Sequence, residues 1–429
     1  NPRGNWSICD SVTYEAVRRE DNITMLLNAS CMDVEMDGNR ILSILAWQTT
    51  TQTKIRVHAK TYVDSSGDGI LIPLTGAEYR QGRESASEFD EDIQPEVADK
   101  NTMGISCLIQ TRETDQPVTF TPPDWAYVYE TDEDLNNRPH DLRSHNFWWL
   151  ELGGDMDTIH DAEKIKDELI RVAFGIWDHI KNRGDHGAEN WELEWVGFLP
   201  GKRESRRYVG DYTMTQGDVL AEGRFDDLVA YGGWPMDDHH PGGLKHKGDP
   251  TQFHFAPAPY GIPYRSLYSR GVDNLMCAGR NISVTHAALS SSRVMATCSV
   301  IGQAVGTASA IAALNGMTPR QVGNERIREL QQRLLNDGCY LPWNPRDIPE
   351  ITRHAKLSAT NDNDVESLRN GWGRPIGDEL NGWRASTGDR ATYEWDTTQS
   401  INHLRIVFDS DLNRNCFGKG FSTNMPCRY

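Results

Sequence analysis

Two stretches near the start of the chain alternate apolar and polar residues, at positions 41–49 and 54–60. Alternation places one set of side chains on one face of a strand, so both stretches are predicted to be antiparallel strands. An apolar run at residues 22–36, followed by an Asp-Gly pair, predicts a preceding strand that ends in a hairpin turn. A short helix is expected before it, at residues 11–20.

Three further segments have helical character. Apolar residues recur every three or four positions across residues 161–181, which predicts one amphipathic helix. A run of Ala, Gly and Ser residues predicts a long helix at 291–315, in which Gly302 and Gly306 permit close packing against a neighbour. Another helix is expected at residues 318–336, with a Pro near its first turn.

The remaining strands are predicted from short apolar segments. One runs into a Gly- and Asp-rich turn at residues 61–69, and another runs from residue 274 into Gly279. Between them, residues 81–259 are charged, rich in Trp and often interrupted by turn residues. From residue 357 short alternating strands return, including those at 391–395 and 401–408, as in the opening half of a β-sandwich.

Composition excludes several classes of function. The net charge of −18 leaves no basic stripe for a phosphate backbone, so no nucleic-acid partner is expected. No run of about 18 apolar residues is present, and no membrane span is predicted. The eight cysteines form no CxxC pair, which argues against an iron–sulfur or structural zinc site, and Cys277 and Cys298 are expected to be buried. The compartment is left open.

The strand that ends at Gly279 and the small-residue helix after it predict a cofactor crevice. This arrangement points backbone N–H groups and a helix dipole at an anionic or electron-rich group. Flavin enzymes hold the ribityl chain and the pyrimidine edge of the isoalloxazine in this way. We predict that residues 61–69 and 274–293 fold together into one cradle for FAD.

Ordered motifs carry a resemblance to a known family. They are YVDSSGDG (62–69) with GAEY (76–79), WWLELGG (148–154), GKRESRR (201–207), YGGWPMDDHHPGG (231–243), PYRSL (263–267), AGRNI (278–282) and RVMAT (293–297). Together they resemble the bacterial FAD-dependent oxidoreductases of the glutathione-reductase superfamily, in the group labelled xanthan-lyase-like, over residues 1 to about 335. The flavin domain is also similar to that of heterodisulfide reductase A subunits, whose cluster-binding cysteines have no match here.

The resemblance implies an α/β fold: an incomplete FAD-binding, glutathione-reductase-like domain with an inserted α+β substrate domain. The C-terminal segment separately resembles the start of a galactose-binding-like β-sandwich, so a partial C-terminal β-sandwich is expected as well. The implied limits are 1–80 and 261–340 for the two parts of the FAD-binding domain, 81–260 for the substrate domain, 341–356 for a linker and 357–429 for the carbohydrate-binding-like sandwich. Family members open with a strand, GxGxxG and a helix that this sequence lacks. The chain is therefore interpreted as N-terminally truncated, and expected to bind FAD poorly and to be poorly soluble.

Cofactor contacts are predicted at Asp64, Gly67, Asp68, Gly69, Gly279, Arg280, Asn281, Ser291 and Arg293. Many relatives carry Asp after the glycine of the second motif, whereas Arg280 accepts no hydrogen bond and is expected to pair with a phosphate. A helix that starts near Ser291 would direct its N-terminus at flavin N1 and C2=O. Its dipole would stabilise the reduced flavin by roughly 1 kcal/mol.

Acid–base chemistry is predicted in the loop DDHHPGG at residues 237–243. Oxidation of a C–OH or C–N bond by hydride transfer needs a base for the heteroatom proton, and His suits this role. The predicted catalytic residues are His239, His240, Asp238, His286 and Arg203. A purely structural loop is the alternative. A metal is not predicted, because adjacent His residues rarely both point at one ion.

The basic run at residues 202–207 is predicted to anchor an acidic or hydroxyl-rich substrate through Arg206 and Arg207, with Trp234 beside it. A solvated strand edge that pairs with Glu204 is the alternative. The Trp-rich middle region and the sandwich-like end favour a sugar or sugar derivative, and the electron acceptor is left open. Two other functions stay in view: a non-catalytic carbohydrate-binding protein with a vestigial flavin fold, and a polysaccharide lyase.

Overall fold

The computed structural model describes residues 6–136, 138–142, 147–376 and 378–408, which form two compact units. The larger unit contains residues 30–334 and 339–342. The smaller unit contains the described residues of 1–29, 335–338 and 343–429.

The elements are mixed α and β. The helices are α1 Trp6–Arg18, α2 Leu71–Thr75, α3 Ala86–Phe89, α4 Ala162–Asp178, α5 Gln216–Leu220, α6 His286–Ser292, α7 Met295–Asn315, α8 Pro319–Asn336 and α9 Glu350–Arg353. The strands are β1 Ala29–Asp37, β2 Arg40–Gln48, β3 Thr53–His58, β4 Tyr62–Asp64, β5 Tyr79–Arg80, β6 Ile105–Ser106, β7 Ile109–Glu113, β8 Glu151–Leu152, β9 Trp191–Val196, β10 Gly201–Lys202, β11 Arg207–Tyr208, β12 Leu228–Gly232, β13 Met236–His239, β14 Thr251–His254, β15 Tyr260–Pro263, β16 Leu275–Cys277, β17 Lys356–Ala359 and β18 Ala391–Glu394.

The predicted N-terminal meander is confirmed. β1, β2 and β3 form one sheet in that order, and β2 pairs antiparallel with β3 from Ser43 opposite His58 to Gln48 opposite Thr53. The first strand is shorter than the predicted 22–36, because Asn28 adopts a left-handed conformation with φ of 55° immediately before β1. Helix α1 begins earlier than the predicted residue 11.

Strands β4 and β16 are parallel neighbours although about 210 residues separate them in sequence. Tyr62 lies opposite Leu275 and Asp64 opposite Cys277, and all three residues of β16 are buried. The side chain of Asn274 ties this pair to the meander, since its Oδ1 accepts the Ile41 N–H at 2.9 Å. The carboxyl ends of β4 and β16 therefore lie side by side, and so do the loops that follow them. The predicted union of the two segments in one globule is confirmed.

The middle region contains short antiparallel pairs. β6 with β8 and β10, and β7 with β9, lie around α4, whereas the β13–β14 pair packs against α6 through β13. The apolar face of α4, which includes Trp177, packs in a core with Trp149 and Leu135, which confirms the predicted amphipathic helix. A π-helical turn at His179–Arg183 extends α4. This region lies in the same compact unit as β4 and β16, and its limits at 81 and 260 as a separate domain stay a prediction.

The single long helix predicted at 291–315 is wrong. Thr285 caps α6 by accepting the Ala288 N–H at 3.2 Å, and an extended Val294, with ψ of 146°, separates α6 from α7. The predicted close packing at Gly302 and Gly306 is absent among the described residues, since no atom lies within 4 Å of a Cβ placed at either one. By length and composition alone, α7 is long and apolar enough to cross a membrane, a test that core helices also pass.

In the smaller unit, β17 and β18 form an antiparallel pair. The strand predicted at 401–408 is not formed. The other predicted strand of this region, residues 391–395, corresponds to β18. Residues 409–429 of the predicted sandwich lie outside the described part of the chain, so the β-sandwich stays a prediction.

Candidate active site

Glycines shape the two loops at the ends of β4 and β16. Gly67 has φ of 76°, and a Cβ on it would lie 2.9 Å from the guanidinium of Arg280. Gly279 has φ of 97°, and the nearest atom to its Cβ position is Asn281 Oδ1 at 3.6 Å. Both angles lie in the left-handed region that side chains disfavour. The first glycine therefore lets the loops touch, and the second leaves open space beside the backbone.

An ion cluster around Asp68 fastens the two loops together. Arg280 Nη2 lies 2.8 Å from Asp68 Oδ1, and Lys202 Nζ lies 2.6 Å from Oδ2. Ser205 Oγ donates a third hydrogen bond at 2.8 Å. Burial raises the pKa of Asp68, but the Lys202 hydrogen bond and the positive charge of Arg280 outweigh it, so the pKa is lowered overall. The predicted pairing of Arg280 with a phosphate competes with this existing ion pair.

Asp64 faces the protein interior. Its carboxylate accepts hydrogen bonds from Tyr208 Oη at 2.7 Å, the Leu71 N–H at 3.0 Å and Ser66 Oγ at 2.7 Å. Burial, followed by the negative charge of Asp64, raises the pKa of Tyr208. The saturated carboxylate holds the turn after β4, and it argues against the predicted direct contact between Asp64 and the cofactor.

His286 lies between two carboxylates in the interior. Its Nδ1 is 2.9 Å from Glu204 Oε2, and its Nε2 is 3.0 Å from Asp238 Oδ1. Burial alone would lower the pKa of His286, but the two negative charges raise it to about 10. The imidazole is therefore a stable cation at neutral pH. It is the first residue of α6, and not part of a loop as the sequence suggested.

His239 also lies between two carboxylates. The groups around His286 and His239 are hereafter the first and second arrays. Its Nδ1 is 2.7 Å from Glu151 Oε2 and its Nε2 is 3.3 Å from Asp237 Oδ2. Trp148 packs edge-on against the ring at a centroid distance of 5.3 Å. Burial raises the pKa of Asp237, but His239 and Arg293 more than compensate and lower it to about 2. Strand β13 thus contributes Asp238 to the first array and both Asp237 and His239 to the second.

Two arginines whose side chains are only 12% and 11% exposed, Arg203 and Arg293, complete the second array. Arg203 Nη1 lies 3.2 Å from Glu151 Oε2, and Arg293 Nη2 lies 3.1 Å from Asp237 Oδ2. Burial raises the pKa of Glu151, but the Arg203 charge and the His239 hydrogen bond outweigh this effect, so the pKa is lowered overall. Arg203, predicted to be catalytic, and Arg293, predicted to bind the cofactor, therefore both neutralise carboxylates that flank His239.

The segment 202–207 joins the loops to both arrays, because successive side chains turn to different partners. Lys202 and Ser205 reach Asp68, Arg203 reaches Glu151, and Glu204 reaches His286. This segment is an internal connector, and not the solvated strand edge that the sequence left as an alternative.

The two arginines at the end of this segment differ in environment. The Arg207 side chain is fully buried against Glu84, with Nη1 at 3.3 Å from Oε1, which argues against its predicted contact with a substrate. The Arg206 guanidinium is partly exposed and forms no ion pair or hydrogen bond with the described residues. Of the two predicted substrate anchors, Arg206 is the one available to a ligand.

Other predicted site residues lie outside the arrays. His240 is exposed, stacks on His246 at a centroid distance of 3.6 Å, and accepts the Gly242 N–H at 3.0 Å. Ser291 is buried and donates to the Trp234 carbonyl at 2.5 Å, so its position argues against direct contact with the cofactor. Trp234 is partly exposed next to β13. The roles of His240 and Trp234 stay predictions.

Sequence reasoning missed several residues that organise the site. They are Glu151, Lys202, Ser205, Tyr208 and, as a partner of His286, Glu204. Four of the five belong to the motifs WWLELGG and GKRESRR, and Tyr208 follows the second motif directly. The motifs were visible, but the pairing of their acidic residues with particular histidines depends on long-range folding.

The sequence matches one known protein family over most of its length. The profile of the family described as FAD dependent oxidoreductase matches residues 5–334. The chain belongs to this family. No curated protein and no solved structure matches it. The protein is therefore an FAD-dependent oxidoreductase, and its cofactor is FAD.

The loops at the ends of β4 and β16 fit this cofactor. Asn281 Oδ1 is buried and has no hydrogen-bond partner among the described residues, while the Nδ2 of the same amide donates to the Asp64 carbonyl at 3.1 Å. A buried acceptor without a partner is costly unless a ligand or water donates to it. With the open space beside Gly279, this amide offers a donor-bearing group a place to bind. Residues 67–69 and 279–281 are the part of the chain that would hold FAD.

Proposed function

We propose that this FAD-dependent oxidoreductase oxidises a C–OH or C–N bond of a small polar substrate, with sugars and sugar derivatives as the first class to test. The observation that carries the proposal is the pair of buried carboxylate–imidazole arrays attached by residues 202–205 to the flavin-binding loops. When bound, FAD takes up the hydride from the substrate C–H bond.

In this proposal His239 accepts the proton of the substrate heteroatom. Its Nδ1 is hydrogen-bonded to Glu151 at 2.7 Å, which fixes the ring, and its Nε2 lies 3.3 Å from Asp237 Oδ2. In this proposal the substrate replaces Asp237 as the partner of Nε2. A carboxylate that orients the imidazole in this way is a recurring arrangement in proton-transfer sites. Removal of such a base typically costs about 10²–10⁴-fold in rate.

His286 has a different role, because its raised pKa keeps it protonated. A cation that stays charged is a poor base at neutral pH. It instead supplies a fixed positive charge, which lowers the energy of negative charge that develops nearby during the reaction. The two histidines, each placed between two carboxylates, thus divide base and electrostatic functions in this proposal.

Arg206 is proposed to bind an acidic or hydroxyl-rich group of the substrate. Its guanidinium is partly exposed, and no described residue forms an ion pair with it. Arg offers several donors in a fixed plane, which suits carboxylates and vicinal hydroxyls. Trp234 is proposed as an apolar surface for the same ligand.

The subgroup of the family and the domain organisation of the chain are also part of the proposal. The ordered motifs support the xanthan-lyase-like group of the glutathione-reductase superfamily and a substrate domain at 81–260, and the short alternating strands from residue 357 support a β-sandwich there. The β17–β18 pair is compatible with such a sandwich. The electron acceptor is not specified. A carbohydrate-binding protein with a vestigial flavin fold and a polysaccharide lyase are the alternatives that the experiment must separate.

The test is anaerobic mixing of the FAD-loaded protein with a panel of neutral sugars, sugar acids and amino sugars, followed by the loss of flavin absorbance. We expect reduction by at least one member, and a loss of about 10²–10⁴-fold in the reduction rate of His239→Gln at unchanged FAD affinity. His160→Gln is the matched control, because His160 also pairs with an aspartate, at 2.8 Å from Asp157, but is exposed.

Three results would contradict the proposal. Failure of every substrate to reduce the flavin, with sugar binding unchanged by FAD removal, supports the binding-protein alternative. Formation of an ultraviolet-absorbing unsaturated product without flavin reduction supports a lyase. Equal reduction rates for His239→Gln and His160→Gln would remove His239 from the mechanism while leaving oxidation itself in place.

A further inference from the structure

Three imidazoles and one carboxylate converge in the middle region, among residues that the flavin site does not use. They are Asp132, His140, His179 and His186, hereafter the histidine cluster. His179 opens the π-helical turn after α4, and Asp132 opens a short 3₁₀ helix, Asp132–Leu135. π-Helical turns are rare and are frequent at functional sites.

The spacing within the histidine cluster is that of metal ligands. Asp132 Oδ1 lies 3.0 Å from His179 Nε2, 3.6 Å from His140 Nε2 and 3.8 Å from His186 Nε2. The Nε2 atoms of His179 and His186 are 3.2 Å apart. In a tetrahedral site with bonds of about 2.0–2.1 Å, the ligand atoms lie roughly 3.3 Å from one another. The four side chains are already close to that arrangement.

Backbone carbonyls fix two of the rings in the form that a metal requires. His179 Nδ1 is 2.9 Å from the Tyr129 carbonyl, and His140 Nδ1 is 2.7 Å from the Arg138 carbonyl. A carbonyl only accepts, so each Nδ1 carries the proton and donates it. In the neutral rings the lone pair is then on Nε2, the atom that points into the cluster. Such an outer hydrogen bond is the usual partner of a metal-binding histidine.

Without a cation this arrangement is unfavourable. The neutral Nε2 lone pairs of His179 and His140 would face the carboxylate of Asp132, at 3.0 Å and 3.6 Å. A divalent ion converts these repulsions into bonds, because imidazole nitrogen and carboxylate oxygen are both good ligands of first-row transition metals. Protonation of one or two rings is the competing way to relieve the repulsion, and the experiment distinguishes the two.

The histidine cluster has buried ligands on one side and is open to solvent on the other. The His179 side chain is 1% exposed and His140 9%, whereas Asp132 is 55% exposed. A cavity of about 510 Å³ is lined by His140, His186 and Trp191, among others. A metal ion has a route into the site, and two of the imidazole ligands are held in place by the core.

We propose that the histidine cluster binds one divalent first-row transition-metal ion, with Zn²⁺ as the preferred ion. Four protein ligands close a tetrahedral shell, which is typical of structural zinc sites. The ion connects the end of α4, the 3₁₀ helix that contains Asp132 and the loops that carry His140 and His186. Its role is to hold these segments of the middle region together.

The experiment uses the full chain without a histidine tag, stripped with a chelator and titrated with Zn²⁺ in competition with a chromophoric chelator. Co²⁺ is titrated in parallel, because tetrahedral Co²⁺ has characteristic visible absorption. We expect one ion per chain and a higher unfolding midpoint with metal. Asp132→Asn and His186→Gln should each weaken binding at least about tenfold, since even outer partners of metal ligands contribute that much.

The controls separate loss of ligands from loss of fold. Asp132→Asn is nearly isosteric and half exposed, so it decides the question even if a histidine variant misfolds. His160→Gln removes an exposed histidine beside a carboxylate and should leave binding unchanged. The proposal is overturned by uptake of well under one ion per chain, by unchanged affinity in both cluster variants, or by equal weakening in the control. Tight binding with the visible spectrum of octahedral Co²⁺ would also overturn the tetrahedral site.

Discussion

The protonated state of His286 makes a quantitative prediction for the stability of the protein. Its pKa of about 10 lies above the ordinary value of 6.5, so the folded state favours the charged ring. The resulting stabilisation is complete below pH 6.5 and is lost as the pH rises towards 10. The difference of about 3.5 pH units corresponds to a contribution on the order of 5 kcal/mol at low pH. Between pH 6.5 and 8.5, roughly 2 kcal/mol of it should disappear.

The perturbation is His286→Gln, and the assay is urea unfolding followed by Trp fluorescence at pH 6.5 and at pH 8.5. We expect the variant to be less stable than the native sequence at pH 6.5, with a difference that narrows by about 2 kcal/mol at pH 8.5. Glu204→Gln, which keeps the ring but removes a charge 2.9 Å away, should cost about 3–5 kcal/mol at pH 6.5.

His160→Gln is the reference for the pH series, because that ring is 77% exposed. Its stability should follow the native sequence at both pH values. A difference between His286→Gln and the native sequence that is constant across the two pH values would refute the reasoning. The imidazole would then not be the group whose proton is held by Glu204 and Asp238, and its electrostatic role would fall with it.

Three further predictions concern other parts of the site. Tyr208→Phe removes a donor to the buried Asp64 carboxylate, and should lower the free energy of unfolding by about 1.5–3 kcal/mol in the same urea assay. Gly67→Ala places a Cβ 2.9 Å from the Arg280 guanidinium at a φ of 76°, and should weaken FAD binding measured by flavin fluorescence. Burial raises the pKa of the Cys107 thiol to about 11, so at pH 8 a disulfide reagent should modify it only after urea is added.

Local pattern and motif order predicted the framework of the site correctly. Alternation in residues 41–60 identified β2 and β3, and apolar runs into Gly-rich turns identified β4 and β16. Parallel strands with loops at their carboxyl ends form a crevice whatever residues separate them in sequence. The family resemblance supplied the cofactor, which the family match confirms.

Long-range charge pairing was not predictable in the same way. The Asp-Asp-His run at 237–239 suggested one acid–base group, whereas β13 distributes its members between two arrays because successive residues of a strand face opposite sides. The break before α7 was missed as well, since no Gly or Pro lies next to the extended Val294 to mark it. The histidine cluster draws on residues 132–186, where no short motif marks ligands that meet only after folding.

The segment 202–207 couples the loops that would hold FAD to His286, which has the electrostatic role in the proposed function. Lys202 and Ser205 bind Asp68 at the cofactor loop, while Glu204 between them binds His286. Neighbouring residues of an extended chain cannot move independently by more than small amounts, so displacement of the loop at Asp68 displaces the carboxylate that holds the imidazolium. A cofactor that repositions Gly67–Gly69 should therefore change the field at His286, and FAD binding should shift the pH dependence of stability described above.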